Sequence, residues 1–264
     1  MKKQQRFSGL LVALLILLLV IPSVQAGQYS IGGGIGVKPD YEGSSDYELV
    51  PVPTGSAMFD NGMFVKLMGL NLRANLIPSK FWRLGPMYNY RAERGDVENN
   101  RVDRMRDVSD ANELGFWGGI DWEGWFLLFD VLADTGNAHE GWTAKLAGGY
   151  NWRMSEKFVF SMGAFTTYAD DDYMSTYFGV NGADSARSGL PTYDADEDFK
   201  DIGLDLGFNW GFAQRWDLRG LLQAKQLVGD ADDDSPVAES SLTDDNEEED
   251  AGPIDSVAPT VSIT

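Results

Sequence analysis

Between Ile202 and Lys225 large apolar residues alternate with small or polar ones at a period of two. Ile202, Leu204, Leu206, Phe208, Trp210 and Phe212 fall on one face, opposed by Gly203, Asp205, Gly207, Asn209 and Gly211. After Ala213-Gln214-Arg215 the alternation resumes. Trp216, Leu218, Gly220, Leu222 and Ala224 now oppose Asp217, Arg219, Leu221, Gln223 and Lys225. Strict alternation over about ten residues marks a strand with one apolar and one polar face. Two such runs across so short a connection predict an antiparallel hairpin. A soluble sandwich would turn the large residues toward a core, and a transmembrane barrel would turn them toward lipid and the polar ones toward a lumen. The hairpin alone is compatible with both.

The same pattern recurs along the chain. Trp142 to Trp152 alternates cleanly, with Lys145 and Asn151 on the polar side, and Phe158 to Tyr168 does so again. Leu114 to Trp122 and Gly124 to Leu132 carry the densest aromatic content. Toward the N-terminus, Tyr29 to Val37 reads as a glycine-rich strand, and Glu48 to Met58 as an irregular one because of Pro51 and Pro53. Asn61-Gly62 marks a hairpin turn. Met63 to Leu76 reads as one strand and Phe81 to Arg94 as the next. Gly95 to Ala111 is a charged loop with a helical turn, and Ala169 to Lys200 a long connection with a short strand at Tyr177 to Val180. Residues 229–254 are acidic and poor in apolar side chains, a composition that predicts disorder. Residues 255–264 alternate weakly and predict a shortened closing strand. The class is all-β: an antiparallel up-and-down barrel of 10–12 strands over residues 27–228, with short turns at one end and long loops at the other.

The N-terminus decides between sandwich and barrel. Lys2, Lys3 and Arg6, an apolar run from Leu10 to Ile21, and Val24-Gln25-Ala26 form a cleavable secretory signal over 1–26. The run is too short to span a bilayer as a helix. Glycine, at 30 of 264 residues, is raised. Barrel closure is one reason for strands to carry it. Export, glycine and the wide apolar face favour a barrel in the outer membrane of a Gram-negative cell, with membrane lipid around it. Taking Lys2, Lys3 and Arg6 from the 21 basic residues leaves 18 against 41 acidic ones, a formal charge of −23. Nucleic acid is excluded as a main partner. The absence of cysteine removes disulfides, thiol nucleophiles and thiolate metal sites.

Gly32 to Tyr47 with Pro51-Val52-Pro53 resembles the start of the MipA/OmpV family of outer-membrane proteins. Within it lie Pro39, Asp40, Tyr41 and Gly43. Trp82-Arg83-Leu84-Gly85-Pro86, Tyr177-Phe178-Gly179-Val180, Ser185-Ala186-Arg187-Ser188-Gly189-Leu190 and Asp234-Ser235-Pro236-Val237 follow in the order seen in that family. The resemblance implies an outer-membrane barrel of about a dozen strands without catalytic residues. It also implies a scaffold role, joining a lytic transglycosylase to a bifunctional peptidoglycan synthase. Family members finish on a strand with an aromatic end, whereas this chain finishes Val261-Ser262-Ile263-Thr264.

Candidate chemistry is sparse. His139, the single histidine, lies in a turn-like stretch beside Glu140 and reads as a surface-turn residue; no serine stands in a nucleophile context. Asp230, Asp232 and Asp234 have the opening spacing of a calcium loop, but Ser235 and Ser241 stand where glycine and glutamate are required. No metal site or cofactor is expected. The expected lumen-facing residues are Lys145, Asn151, Asp205, Asn209, Asp217, Arg219 and Lys225. The expected function is a non-enzymatic interaction scaffold at the cell envelope, with a narrow solute channel as the alternative.

Overall fold

A computed structural model describes residues 27–232, 235–238 and the backbone of 256–263. The predicted signal at 1–26 and most of the acidic segment before Ser256 lie outside the described residues. The alternating runs form twelve strands. They are β1 (Gln28–Pro39), β2 (Tyr47–Met58), β3 (Phe64–Met68), β4 (Asn71–Asn75), β5 (Trp82–Arg91), β6 (Ala111–Trp122), β7 (Trp125–Asp134), β8 (Trp142–Arg153), β9 (Phe158–Ala169), β10 (Asp198–Ala213), β11 (Trp216–Leu227) and β12 (Ser256–Ile263). Each pairs antiparallel with its sequence neighbours. β12 pairs with β11 and with β1, at Leu222↔Pro259 and Gly34↔Ser262, and closes the barrel. Closure gives every described strand a paired neighbour on both sides.

Among the strands with described side chains, β1 to β11, large apolar residues point outward. Ile31 is 89% exposed and Leu49 73%, and Leu146, Leu204, Trp210 and Leu222 share the same outer surface. A wall of large apolar side chains this wide is far beyond what a soluble monomer presents to water. Six of the eight tryptophans, Trp82, Trp122, Trp125, Trp152, Trp210 and Trp216, sit where strands meet the short turns. At the opposite rim Trp142 and Phe199 flank Tyr168, with ring centroids 5.7 and 5.5 Å from it. These two belts have the spacing logic of interfacial girdles.

Turn chemistry explains the short-turn end. Glu123 and Gly124 both adopt positive φ, 49° and 95°, which a two-residue primed turn between β6 and β7 requires. Met63 to Leu76, expected as one strand, is instead the β3–β4 hairpin. The chain reverses at Gly69-Leu70, with Gly69 at φ 58°, and Met68 pairs with Asn71. An apolar count without a proline or Asn-Gly signal cannot see that reversal.

The long loops all leave the other rim, and they fold. They carry α1 (Asn100–Asp103), α2 (Asp171–Tyr177) and α3 (Gly182–Ser188), capped by the side chains of Asn99, Asp170 and Asn181. The short strand expected at Tyr177 to Val180 is therefore replaced by the end of α2 and one isolated bridge, Val180↔Tyr193. The start of the acidic segment, expected to be disordered, is packed. Gly229–Ala231 is a 3-10 turn, and Ala231, Ser235 and Val237 are fully buried. Two apolar clusters stand over the barrel mouth. One holds Tyr173, Met174, Tyr177, Phe178 and Leu227 among others; the second gathers Tyr41, Val97, Val102, Met105, Val180, Leu190 and Val237. The best-buried large side chains, Tyr173, Phe178 and Met174, thus lie in the loops. The barrel wall keeps its apolar surface outside, so the loops carry the largest buried apolar clusters.

Candidate functional site

The lumen beneath this cap is polar and charged. At its upper end Glu42, from the β1–β2 connection, reaches into a ring of donors. Its Oε1 accepts hydrogen bonds from the ammonium of Lys200, at the start of β10, and from Lys225 of β11 at 2.9 Å. Its Oε2 accepts from the Tyr173 hydroxyl of α2 at 2.6 Å, with the Arg91 guanidinium of β5 at 3.8 Å. Lys200 also donates to Asp201 at 2.8 Å, and Arg91 donates to Glu113 of β6 at 2.9 Å. The Arg91 guanidinium lies 5.1 Å over the Tyr173 ring and 5.4 Å over Tyr177. Three cations and three carboxylates from the barrel wall and one of its loops are thereby joined, and the two phenol rings, from a second loop, seat the cap on top.

Burial opposes ionisation of Glu42, but the fields of Lys200, Lys225 and Arg91 and the Lys200 hydrogen bond override it. The carboxyl is held well below its ordinary value. Burial, reinforced by the Glu42 charge against the opposing pull of Arg91, pushes the Tyr173 hydroxyl well above the usual phenol range. Tyr177 moves the same way, again chiefly through burial. Both phenols remain protonated at any physiological pH; Tyr173 donates to Glu42, while the Tyr177 hydroxyl is buried without a hydrogen-bond partner.

His139 is not a surface-turn residue. It is 4% exposed, and its partners are buried with it. The Gly141 amide donates to Nδ1 at 3.1 Å, so in the neutral ring Nε2 carries the proton and faces Glu113 Oε1 at 3.2 Å. Its ring stacks edge-on to Tyr173 at 5.0 Å. The carboxylate of Asp134 shapes the turn, accepting from the amides of Gly136, Ala138, His139 and Glu140. The imidazole's hydrogen-bonding capacity is used inside the fold. Among the described residues no three His, Asp or Glu side chains converge at metal-ligand spacing.

Three chambers follow one another down the lumen. The upper, about 310 Å³, is lined by Lys38, Pro39, Asp40, Tyr41 and Glu42 against β5. The middle, about 400 Å³, shares Glu42, Asn89, Arg91 and Lys225 with it. The lower, about 760 Å³, shares Asn71 and Arg73 with the middle one and reaches the short-turn end at Phe59, Gly62 and Met63. The Glu42 cluster is thus the common wall between the first two.

The expected lumen residues distribute along this axis. Lys145 lines the middle chamber, its ammonium 3.7 Å over the Phe165 ring, and Lys225 joins Glu42. Asp205 accepts from Gln223 at 2.7 Å. Asn209 and Arg219 line the lower chamber, and Asp217 stands 3.8 Å from Arg219. Asn151 instead approaches the Gly124 carbonyl at the β6–β7 turn, at 3.4 Å.

The motif residues meet in the cap. Tyr41, Val180, Leu190 and Val237, each from a different sequence block, share one buried cluster. Asp40 accepts from the Glu98 amide at 2.9 Å, and Gly43 takes φ 97° against Leu227 and Ala238. Ser188 closes α3 by bonding the Asp184 carbonyl at 2.7 Å, and Gly189 follows at φ 78° as its left-handed cap. Glu42, between Tyr41 and Gly43, escaped notice because a single acid in an acidic chain carries no signal.

The fold and lumen define a closed antiparallel β-barrel with an apolar outer wall and a charged interior bridged by ion pairs beneath its own loops. The chain belongs to the family described as MltA-interacting protein MipA, which matches residues 31–247. It is 25% identical over 229 residues to the MltA-interacting proteins of Escherichia coli (strain K12) and Shigella flexneri, covering 82% of this chain and 86% of each relative.

Proposed function

We propose that this protein is a non-enzymatic outer-membrane barrel that serves as an interaction scaffold at the cell envelope. Its partners are peptidoglycan-processing enzymes, a lytic transglycosylase first and a bifunctional synthase with it. The observation that carries the reading is an ion-pair network. Seven residues, Glu42, Arg91, Glu113, Tyr173, Lys200, Asp201 and Lys225, are joined across the upper lumen under packed loops. A lumen bridged in this way supports a barrel that works through its surfaces rather than as a pore. The outer wall and its two aromatic belts support membrane residence. The name of the relatives supports the transglycosylase. Short turns of bacterial barrels face the periplasm, where such an enzyme works.

The test has two parts. The refolded mature chain is run unboiled and boiled on a gel, and membrane fractions are probed for it; unchanged mobility and a soluble chain would remove the membrane reading. The folded barrel is then immobilised and challenged with a purified MltA-type transglycosylase. Retention that survives substitution of the cap but not of the short turns is expected. The serial chambers favour a second reading, a narrow channel for small solutes. A reproducible single-channel current from the unaltered chain would select it.

A further inference from the structure

We propose that the lower chamber is a binding site for a small organic oxyanion, carboxylate- or phosphate-bearing, entering from the short-turn end. The inference rests on the closed barrel and not on the scaffold role. Four cations from four strands line this chamber: Lys66 of β3, Arg73 of β4, Arg83 of β5 and Arg219 of β11. The whole chain carries a formal charge of −20, so their convergence is not a consequence of composition. Their internal compensation is incomplete. Arg83 donates to Asp121 at 3.0 Å, a full ion pair. Arg73 and Arg219 reach Asp130 and Asp217 only at 3.8 Å. Lys66 has no carboxylate within 4.0 Å among the described residues and rests its ammonium 4.5 Å over the Phe64 ring. The Arg219 Nε is buried without a hydrogen-bond partner, an arrangement that costs free energy unless something accepts from it.

The walls also fit the body of such a ligand. Phe64 lies beneath Lys66 and, at 5.9 Å, beneath Arg83; Trp117 lies 5.3 Å beneath Arg73. Trp117 is fixed by its indole N–H, which donates to the Ala74 carbonyl at 2.9 Å, and packs at a tilt against Phe64, ring centroids 5.6 Å apart. Guanidinium groups recognise carboxylate and phosphate by paired donors, and aromatic faces receive the apolar part. About 760 Å³ is the size of a small-molecule site.

The test uses the full mature chain, refolded in detergent and first shown to be heat-modifiable, so that a failed barrel is distinguished from a failed site. Citrate and inorganic phosphate are titrated by calorimetry, with sucrose as the neutral control. Saturable, sub-millimolar binding of citrate or phosphate is expected, with none for sucrose, weakening as sodium chloride rises. Affinity should fall at least tenfold in Lys66→Gln and in Arg219→Gln and stay unchanged in Lys145→Gln, which lies in the middle chamber. Citrate without phosphate would assign a carboxylate ligand, and the reverse a phosphate. If a variant does not refold, the thermal midpoint of the unaltered chain is measured, and it should rise with the anion and not with sucrose. Absence of saturation by both anions on a heat-modifiable barrel, or equal affinity in Lys66→Gln and the parent, overturns the proposal.

Discussion

Removing the charge of Glu42 leaves the ammonium groups of Lys200 and Lys225 facing each other with no common counter-ion. Breaking a buried pair from one side costs about 3–5 kcal/mol, so Glu42→Gln should destabilise the cap by that amount, read as a lower urea midpoint at unchanged slope. The pH dependence follows from the depressed carboxyl. Its contribution is fully present above the ordinary carboxylate value of 4.5 and is lost as pH falls through the lower folded value. Near-UV circular dichroism should therefore show a thermal midpoint flat from pH 5 to 8 and falling in stronger acid, with the acid limb reduced in Glu42→Gln. Tyr173 and Tyr177 work in the opposite direction. Their raised values preserve stability below the ordinary phenol range and withdraw it as pH rises through the folded values. Tyr173→Phe, which deletes one hydrogen bond to a carboxylate, should cost about 1.5–3 kcal/mol. A cost near zero in Tyr173→Phe would show that this bond adds nothing.

At the scale of elements, the α3 terminus depends on a left-handed residue. Gly189 occupies the left-handed region, so Gly189→Ala should lose about 1–2 kcal/mol. Leu190→Ala, which empties part of the second cluster, should lose about 2–5 kcal/mol. Chemical unfolding followed in the cap alone would separate these from effects on the barrel. The strands were legible because a two-residue period survives whichever face of the sheet points outward. Lys145 and Arg219 could be placed on the lumen face by parity alone. The helical turn expected within Gly95 to Ala111 is α1, whereas α2 and α3 were not legible. Asp171–Tyr177 and Gly182–Ser188 are seven residues each, too short for a 3.6-residue period to show through their acidic neighbours. His139 was misread because its burial comes from α2 and β6, far away in sequence, and not from its own turn.

On the scale of the whole molecule, barrel and cap are two structures held by different solvents. The barrel needs an apolar surrounding for its outer wall, while the cap carries its own water-excluded core. Replacing residues 171–190 by a glycine-serine linker should therefore leave heat-modifiability intact and introduce a steady single-channel current. A linker variant that stays silent would show that the wall itself, and not the cap, blocks the lumen.

The second apolar cluster draws Tyr41, Val102, Val180, Leu190 and Val237 from four separate connections between strands. Such a core has almost no local contacts, and long-range closure is slow compared with strand pairing between neighbours. The connection carrying Val237 follows β11, so the cluster lacks its last member until eleven strands of the sheet have been made. Completion of the cap is therefore expected late in assembly, after neighbouring strands have paired. The cluster thus doubles as a check on assembly, since its final side chain comes from the last of the four connections.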